Sequence, residues 1–307
     1  MENLYRFYGT RCAVKDISFS LSRGEVLGFL GPNGAGKSST MKMLSGNLSP
    51  SRGSIRIQGF DILAKPKSAK ALLGYLPEQP PLYDELTVDE YLSLCAALHR
   101  VATGKRNTAV SRAKERCGLS GNGKRLIANL SKGFRQRVGI AQAIIHQPPL
   151  VILDEPTVGL DPIQIQEIRT LIRELAQDHG VILCSHILSE IQSTCDRIQI
   201  INQGELVYSA DMGQLKSQAN RIIAAFDNPP AMADLEQIAT AAHIRRLEDG
   251  RFEFSDFPDQ DWLDAIMAEA VRHDWKLREL SPINESLEQI FIELTCHDRV
   301  ESEGEAE

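Results

Sequence analysis

The stretch Gly31-Pro32-Asn33-Gly34-Ala35-Gly36-Lys37-Ser38-Ser39 fits G-x-x-x-x-G-K-[ST] from Gly31 to Ser38. The apolar run Val26, Leu27, Phe29 and Leu30 before it reads as a buried strand. After it, Met41, Leu44 and Leu48 fall on one face of a helix expected from Lys37 onward. Strand, glycine-rich loop and helix in that order make a phosphate cradle. The three glycines let backbone N–H groups point inward without Cβ interference, and the helix turns its positive end toward the same oxygens. In such a cradle Lys37 spans the β- and γ-phosphates and the Ser38 hydroxyl is a Mg²⁺ ligand.

Working outward, Ile17, Phe19 and Leu21 alternate with Ser18, Ser20 and Ser22, and Ile55 and Ile57 lie between Gly53 and Gly59. That alternation predicts a half-exposed antiparallel sheet beside the nucleotide core. Thr87 and Glu90 make a capping box, followed by Tyr91, Leu94, Cys95 and Leu98 at helical spacing. They predict a helical subdomain over about 85–148, with 101–125 as charged connecting surface. Val151–Leu153 and Val181–Leu183 read as parallel core strands joined by a helix through Ile165, Ile168, Leu171, Ile172 and Leu175.

The character of the chain changes after Ser209. Strands are expected at 221–226, 244–248, 251–256 and 276–281, helices at 231–242 and 260–273, and a hairpin turn at Asp249-Gly250. The order β-α-β-β-α-β is the split, ferredoxin-like arrangement. A last helix carries Leu287, Ile290, Phe291 and Leu294, and 300–307 is acidic and expected to be disordered. The divisions read from this are a nucleotide-binding domain over 1–215, an accessory α+β domain over 219–299 and a tail over 300–307.

Composition bounds the function. With 307 residues the chain has room for one large domain and a small one. No apolar run is long enough to span a bilayer and no secretory pattern opens the sequence, so a membrane role needs a partner. The formal charge of -7 argues against nucleic acid as the main ligand. The six cysteines show no C-x-x-C and no histidine at zinc spacing, which reads as reduced cytosolic thiols without a zinc site.

Leu150–Leu153 delivers Asp154 and Glu155 at a strand's carboxyl end, where ligands bind in α/β sheets. Asp154 reads as the Mg²⁺ carboxylate and Glu155 as the group that polarises the attacking water; the bland alternative is a surface acidic pair. His186 ends the next strand, and a lone histidine there is more often structural than functional. Asn129–Ser131 precedes a helix through Val138, Ile140, Ala141 and Ile144, whose N-terminus can hold an anion.

The ordered set GPNGAGKSS, LSKGF, LDEP, GLD and SH resembles the ATP-binding subunit of ATP-binding cassette (ABC) transporters over roughly residues 1–215. The fold that the resemblance implies is an α/β P-loop core with an antiparallel β subdomain and a helical subdomain. It further implies that Tyr8, in FYG, stacks on adenine, although alone that residue reads equally as a packing aromatic. Ser131 and Gly133 would contact the γ-phosphate bound by a second subunit, Asp161 would lie across the dimer interface, and His186 would grip the γ-phosphate. ATP and Mg²⁺ are the implied cofactors, and the partners are a second ATP-binding subunit, of the same or another chain, and a transmembrane permease. The place is the cytoplasmic face of a membrane, with no direct nucleic acid.

Three positions depart from the family pattern. Glu78, in GYLPEQ, stands where most relatives carry the glutamine that touches Mg²⁺, with Gln79 one residue late; Glu78 as a solvated loop carboxylate stays open. Lys132 replaces a glycine and Phe134 a glutamine of LSGGQ. LSKGFRQR, LDEPTVGLDP and SLEQIFIELT resemble the branch serving ABC-2 type exporters, including gliding-motility and copper-site-maturation systems. The rival readings are a soluble ATP-driven switch on nucleic acid or ribosomes, and a regulatory ATP-binding module without turnover. The first lacks the paired cassettes or coiled coils of such relatives, and intact Lys37, Asp154, Glu155 and His186 argue against the second.

Overall fold

A computed structural model describes residues 1–218, 222–238, 243–247, 249–255, 261–282 and 287–296. The described chain forms two compact units, Met1–Ala210 and Asp211–Cys296. In the first, the strand Val26–Leu30 is buried at every position, as its uninterrupted apolar run requires of a central parallel strand. It sits inside a six-stranded sheet. The order is Glu205–Asp211, Arg197–Asn202, Val26–Leu30, Gly180–Ser185, Leu150–Asp154, Leu73–Leu76. From Arg197–Asn202 to Leu73–Leu76 each neighbouring pair is parallel.

Register positions the site. Leu30 lies opposite Ser185, and Cys184 opposite Asp154. The next residues, Gly31, His186 and Glu155, therefore leave adjacent strands at one edge of the sheet. Leu27, Phe29, Ile152 and Ile182 are buried beneath that edge. Each such side chain contributes about 1.5–3 kcal/mol by leaving water, so the strand ends rest on a packed core.

A three-stranded antiparallel sheet, Arg11–Ile17, Glu2–Tyr8 and Arg52–Ser54, forms the expected antiparallel layer. The strand read through Leu21 ends at Ile17, yet Phe19 and Leu21 still pack on the core while Ser18, Ser20 and Ser22 stay outside or at its margin. Side-chain alternation persists there without a partner strand to make it a ladder. The helix after the glycine-rich loop spans Lys37–Leu44 and stops before Leu48, because Gly46 turns the chain at φ 68°.

The capping box holds: Thr87 N–H donates to Glu90 Oε2 at 2.8 Å and Glu90 N–H to Thr87 Oγ1 at 3.3 Å, opening the helix Val88–Leu98. Its buried face is Val88, Tyr91, Leu92, Cys95 and Ala96, whereas Leu98, assigned to that face from spacing, is 71% exposed and Leu94 is exposed too. A second correction concerns residues 101–125, which contain the helix Arg106–Arg116 packed against Val88–Leu98. That helix buries only Val110 and Ala113, too little apolar sequence to announce it.

The second unit has a four-stranded antiparallel sheet in the order His243–Arg246, Arg251–Ser255, Ile222–Phe226, Leu277–Pro282. With helices Met232–Ile238 and Asp261–Arg272 this is the split β-α-β arrangement. Asp249 and Gly250 both have positive φ, 55° and 68°, as a tight hairpin demands. Phe226, Phe252, Phe254, Trp262 and Trp275 form its core. The last helix spans Leu287–Cys296, and the tail 300–307 lies outside the described residues.

Candidate active site

A cavity of about 480 Å³ opens where the three strands end. It is lined by Tyr8, Arg11, Ala13, Asn33, Gly34, Gly36, Lys37, Ser38, Ser39, Glu78, Asp154, Glu155, Val158 and His186. The loop can form because Gly36 adopts φ 108°, where a Cβ would meet Ala13 O at 2.6 Å. Lys37, 7% exposed, donates from its ammonium to Gly31 O at 2.6 Å and Pro32 O at 3.1 Å, so its head is anchored within the loop. Gly31, Pro32 and Ala35 shape the loop and do not line the cavity. At the opening of the cavity Tyr8, 46% exposed, is no core aromatic: its hydroxyl is 3.4 Å from Ser39 Oγ and the Arg6 guanidinium lies 4.6 Å over its ring.

Behind the loop stand the carboxylates. Burial pushes the Asp154 carboxyl above its ordinary range, opposed by a hydrogen bond from the Cys184 thiol and reinforced by the charge of Glu78. Burial likewise pushes Glu155 up, and the hydrogen bond with His186 is the main opposing effect. His186 Nδ1 is 2.8 Å from Glu155 Oε1, while Oε2 is buried and has no hydrogen-bond partner among the described residues. Glu155 is held at φ 50° with its N–H donating to Cys184 O at 2.9 Å. A carboxylate fixed by one oxygen and unpaired at the other can orient a water and accept its proton.

Ser38, Asp154 and Glu78 present oxygens to the same cavity, the donor set that a hard cation takes. Among the described residues no three His, Cys, Asp or Glu side chains converge into an all-protein metal cage. Mg²⁺ is commonly held by one or two carboxylates together with substrate phosphates. Gln79 does not line the cavity. Cys12, Cys95, Cys117, Cys184 and Cys195 are free thiols.

Ser131, Gly133 and Asp161 are gathered elsewhere. Ser131 caps the helix Lys132–Ile144 by accepting from Phe134 N–H, and Asp161 caps Pro162–Ala176 by accepting from Gln164 N–H at 2.9 Å. A Cβ at Gly133 would lie 2.6 Å from Gln164 Oε1, and one at Gly159 would meet Lys132 Nζ, so the two caps share a neighbourhood. None of the three lines the cavity. Arg11, Ala13 and Val158 line it without having been expected; Arg11 pairs with Tyr8 across the Gly9-Thr10 turn, a hairpin signal that could have found it.

A parallel sheet carrying a phosphate loop, two carboxylates and a histidine on adjacent strand ends defines a nucleoside-triphosphate-binding P-loop core. The ABC transporter family model matches residues 14–158. The chain is 34% identical to the linearmycin resistance ATP-binding protein LnrL of Bacillus subtilis (strain 168), covering 96% of this chain and 97% of that protein. It is also 34% identical to the bacitracin transport ATP-binding protein BcrA of Bacillus licheniformis, covering 95% of each. A solved structure of an ATP-binding subunit of an ABC transporter superposes with TM-score 0.64 at 32% identity, over 71% of this chain and 91% of that one. The chain belongs to the family of ABC transporter ATP-binding subunits. It is an ATP-binding ATPase. Among the described residues no helix is long and apolar enough to cross a membrane.

Proposed function

We propose that this chain powers a separate transmembrane permease, an ABC-2 type exporter, from the cytoplasmic face of the membrane. The observation carrying the chemical part is the Glu155–His186 pair beside the phosphate loop. Residues Gly31 to Ser39 cradle the phosphates of ATP, Lys37 counters their charge, and Tyr8 stacks on the adenine. Glu155 orients the attacking water through Oε2, and His186 holds Glu155 and meets the γ-phosphate. Mg²⁺, held by Ser38, Asp154 and Glu78, supplies charge stabilisation for the phosphates when bound.

Ser131, Gly133 and Asp161 face a second ATP-binding subunit and complete its site, which explains why they lie outside the cavity of their own chain. The names of the bacitracin-transport and linearmycin-resistance relatives support export as the task. The division into a cassette over 1–215 and an accessory domain over 219–299 assigns energy conversion to the first and regulation or partner contact to the second.

Complementation between two defective full chains tests the paired site. Lys37→Ala and Ser131→Arg chains are each expected to be inactive. Mixed, they form one site from the intact loop of one copy and the intact serine of the other, so part of the rate returns. No recovery on mixing overturns the pairing of two copies of this chain.

A further inference from the structure

The short helix Leu188–Thr194 carries one carboxylate into the interior. Glu190 is 2% exposed, and two side chains from different loops donate to it. Thr157 Oγ1 reaches Oε1 at 2.6 Å and Ser185 Oγ reaches Oε2 at 2.9 Å. Thr157 and Ser185 are buried as well. Ser185 Oγ in turn accepts from Ile187 N–H at 3.0 Å, so the hydroxyl holds the backbone on the far side of His186.

The two donors occupy telling places. Thr157 follows Glu155 with only Pro156 between, and Ser185 immediately precedes His186. The backbone ladder that sets these loops side by side ends with Asp154 opposite Cys184 and Glu155 N–H on Cys184 O. Beyond that last rung, the Thr157–Glu190–Ser185 bridge joins the two loops where their catalytic candidates diverge. A buried carboxylate is costly unless its oxygens are satisfied, and an apolar residue of similar volume would pack the site more cheaply. What the carboxylate adds over an apolar residue is direction: one group fixes the residue beside His186 and the residue two beyond Glu155 at once.

We infer that Glu190 is a positioning residue for hydrolysis, tying the Glu155 loop to the His186 loop so that His186 Nδ1 meets Glu155 Oε1 and leaves Oε2 directed at the water. The inference rests on the reading of Glu155 and His186 as the hydrolytic pair. Glu190 does not line the cavity. In sequence it is one more glutamate in an amphipathic helix, SHILSEIQ, where exposure is the default expectation.

The test compares the full chain with Glu190→Gln and Thr157→Val. Both variants are expected to lose kcat by about tenfold, since a small misplacement of reacting groups is costly. The KM for ATP stays within about twofold, because no loop residue from Gly31 to Ser39 belongs to the bridge. Combining the two substitutions costs no more than Glu190→Gln alone, since they break one connection. Modification of His186 by diethyl pyrocarbonate, followed by peptide mass with His243 as internal reference, accelerates several-fold once His186 is released from Glu155. An unchanged His186 modification rate in both variants overturns the inference whatever the turnover, as does a fall in kcat matched by an equal rise in KM and a lower melting temperature. A parent chain without turnover refutes the hydrolytic reading instead, and the modification comparison still judges the bridge.

Discussion

His186 Nδ1 meets Glu155 Oε1 at 2.8 Å and leaves Glu155 Oε2 buried and unpartnered. The imidazole fixes the carboxylate without consuming it. Glu155→Gln keeps the shape and an acceptor for His186 but loses the proton-accepting oxygen. Turnover is therefore expected to fall by on the order of a hundredfold or more, with ATP binding retained. Sedimentation of this variant with ATP should show an accumulated dimer; a monomer at every nucleotide concentration would falsify the two-subunit site.

The same burial has a pH signature in stability. Glu155 has its carboxyl raised above the ordinary 4.5 by burial. A folded-state value above the unfolded one means that the folded protein holds the proton more tightly, so stability is fully present below the ordinary range and is lost as pH rises through the folded value. Glu155→Gln removes that loss. Without nucleotide, its melting temperature is expected to exceed the parent's at pH 8, with the gain shrinking to nothing near pH 4. A gain that is the same at both pH values would assign the effect to something other than the buried charge.

The phosphate loop, the Asp154–Glu155 strand end and the His186 strand end were legible because each follows an apolar strand and the three motifs occur in a fixed order. What joins them was not. Glu155 and His186 are thirty-one residues apart, and only the parallel register of Leu150–Asp154 on Gly180–Ser185 sets them in contact. Arg11 and Val158 reach the cavity through a hairpin turn and a loop, which carry no periodicity. The helix Arg106–Arg116 hid because its apolar residues are only Ala109, Val110 and Ala113, set among polar and charged ones.

The neighbouring helix Val88–Leu98 offers a stability test remote from the chemistry. Thr87 both accepts from Glu90 N–H and donates its own N–H to the Glu90 carboxylate. Thr87→Ala removes the side-chain half of the box and should cost about 1 kcal/mol. Loss of about 2–4 °C in melting temperature follows for a domain of this size, with ATP affinity unchanged. An unaltered melting curve would mean that the box is made equally well in the unfolded chain.

The accessory unit has its own aromatic core, and every residue assigned to phosphate or Mg²⁺ precedes residue 190. A chain ending near Ser217 is expected to bind and hydrolyse ATP if it remains folded. Nucleotide titration of the shortened protein checks this: a folded truncation that binds no ATP would show that the second unit completes the site.

Glu78 stands where the family resemblance leads to the expectation of a glutamine. It lines the cavity with Asp154, and its charge helps to raise the Asp154 carboxyl. Two carboxylates sharing one cavity attract a divalent cation more strongly than a carboxylate and an amide do, but the second also repels the γ-phosphate. Glu78→Gln should therefore need more Mg²⁺ for half-maximal ATPase activity, with ATP affinity unchanged or improved. Glu78→Ala, which offers no oxygen at all, should turn over more slowly than the glutamine variant. Titrating Mg²⁺ against rate for the parent and both variants decides the matter. Three superimposable curves would return Glu78 to the role of a solvated loop carboxylate and leave Ser38 and Asp154 as the protein's metal ligands.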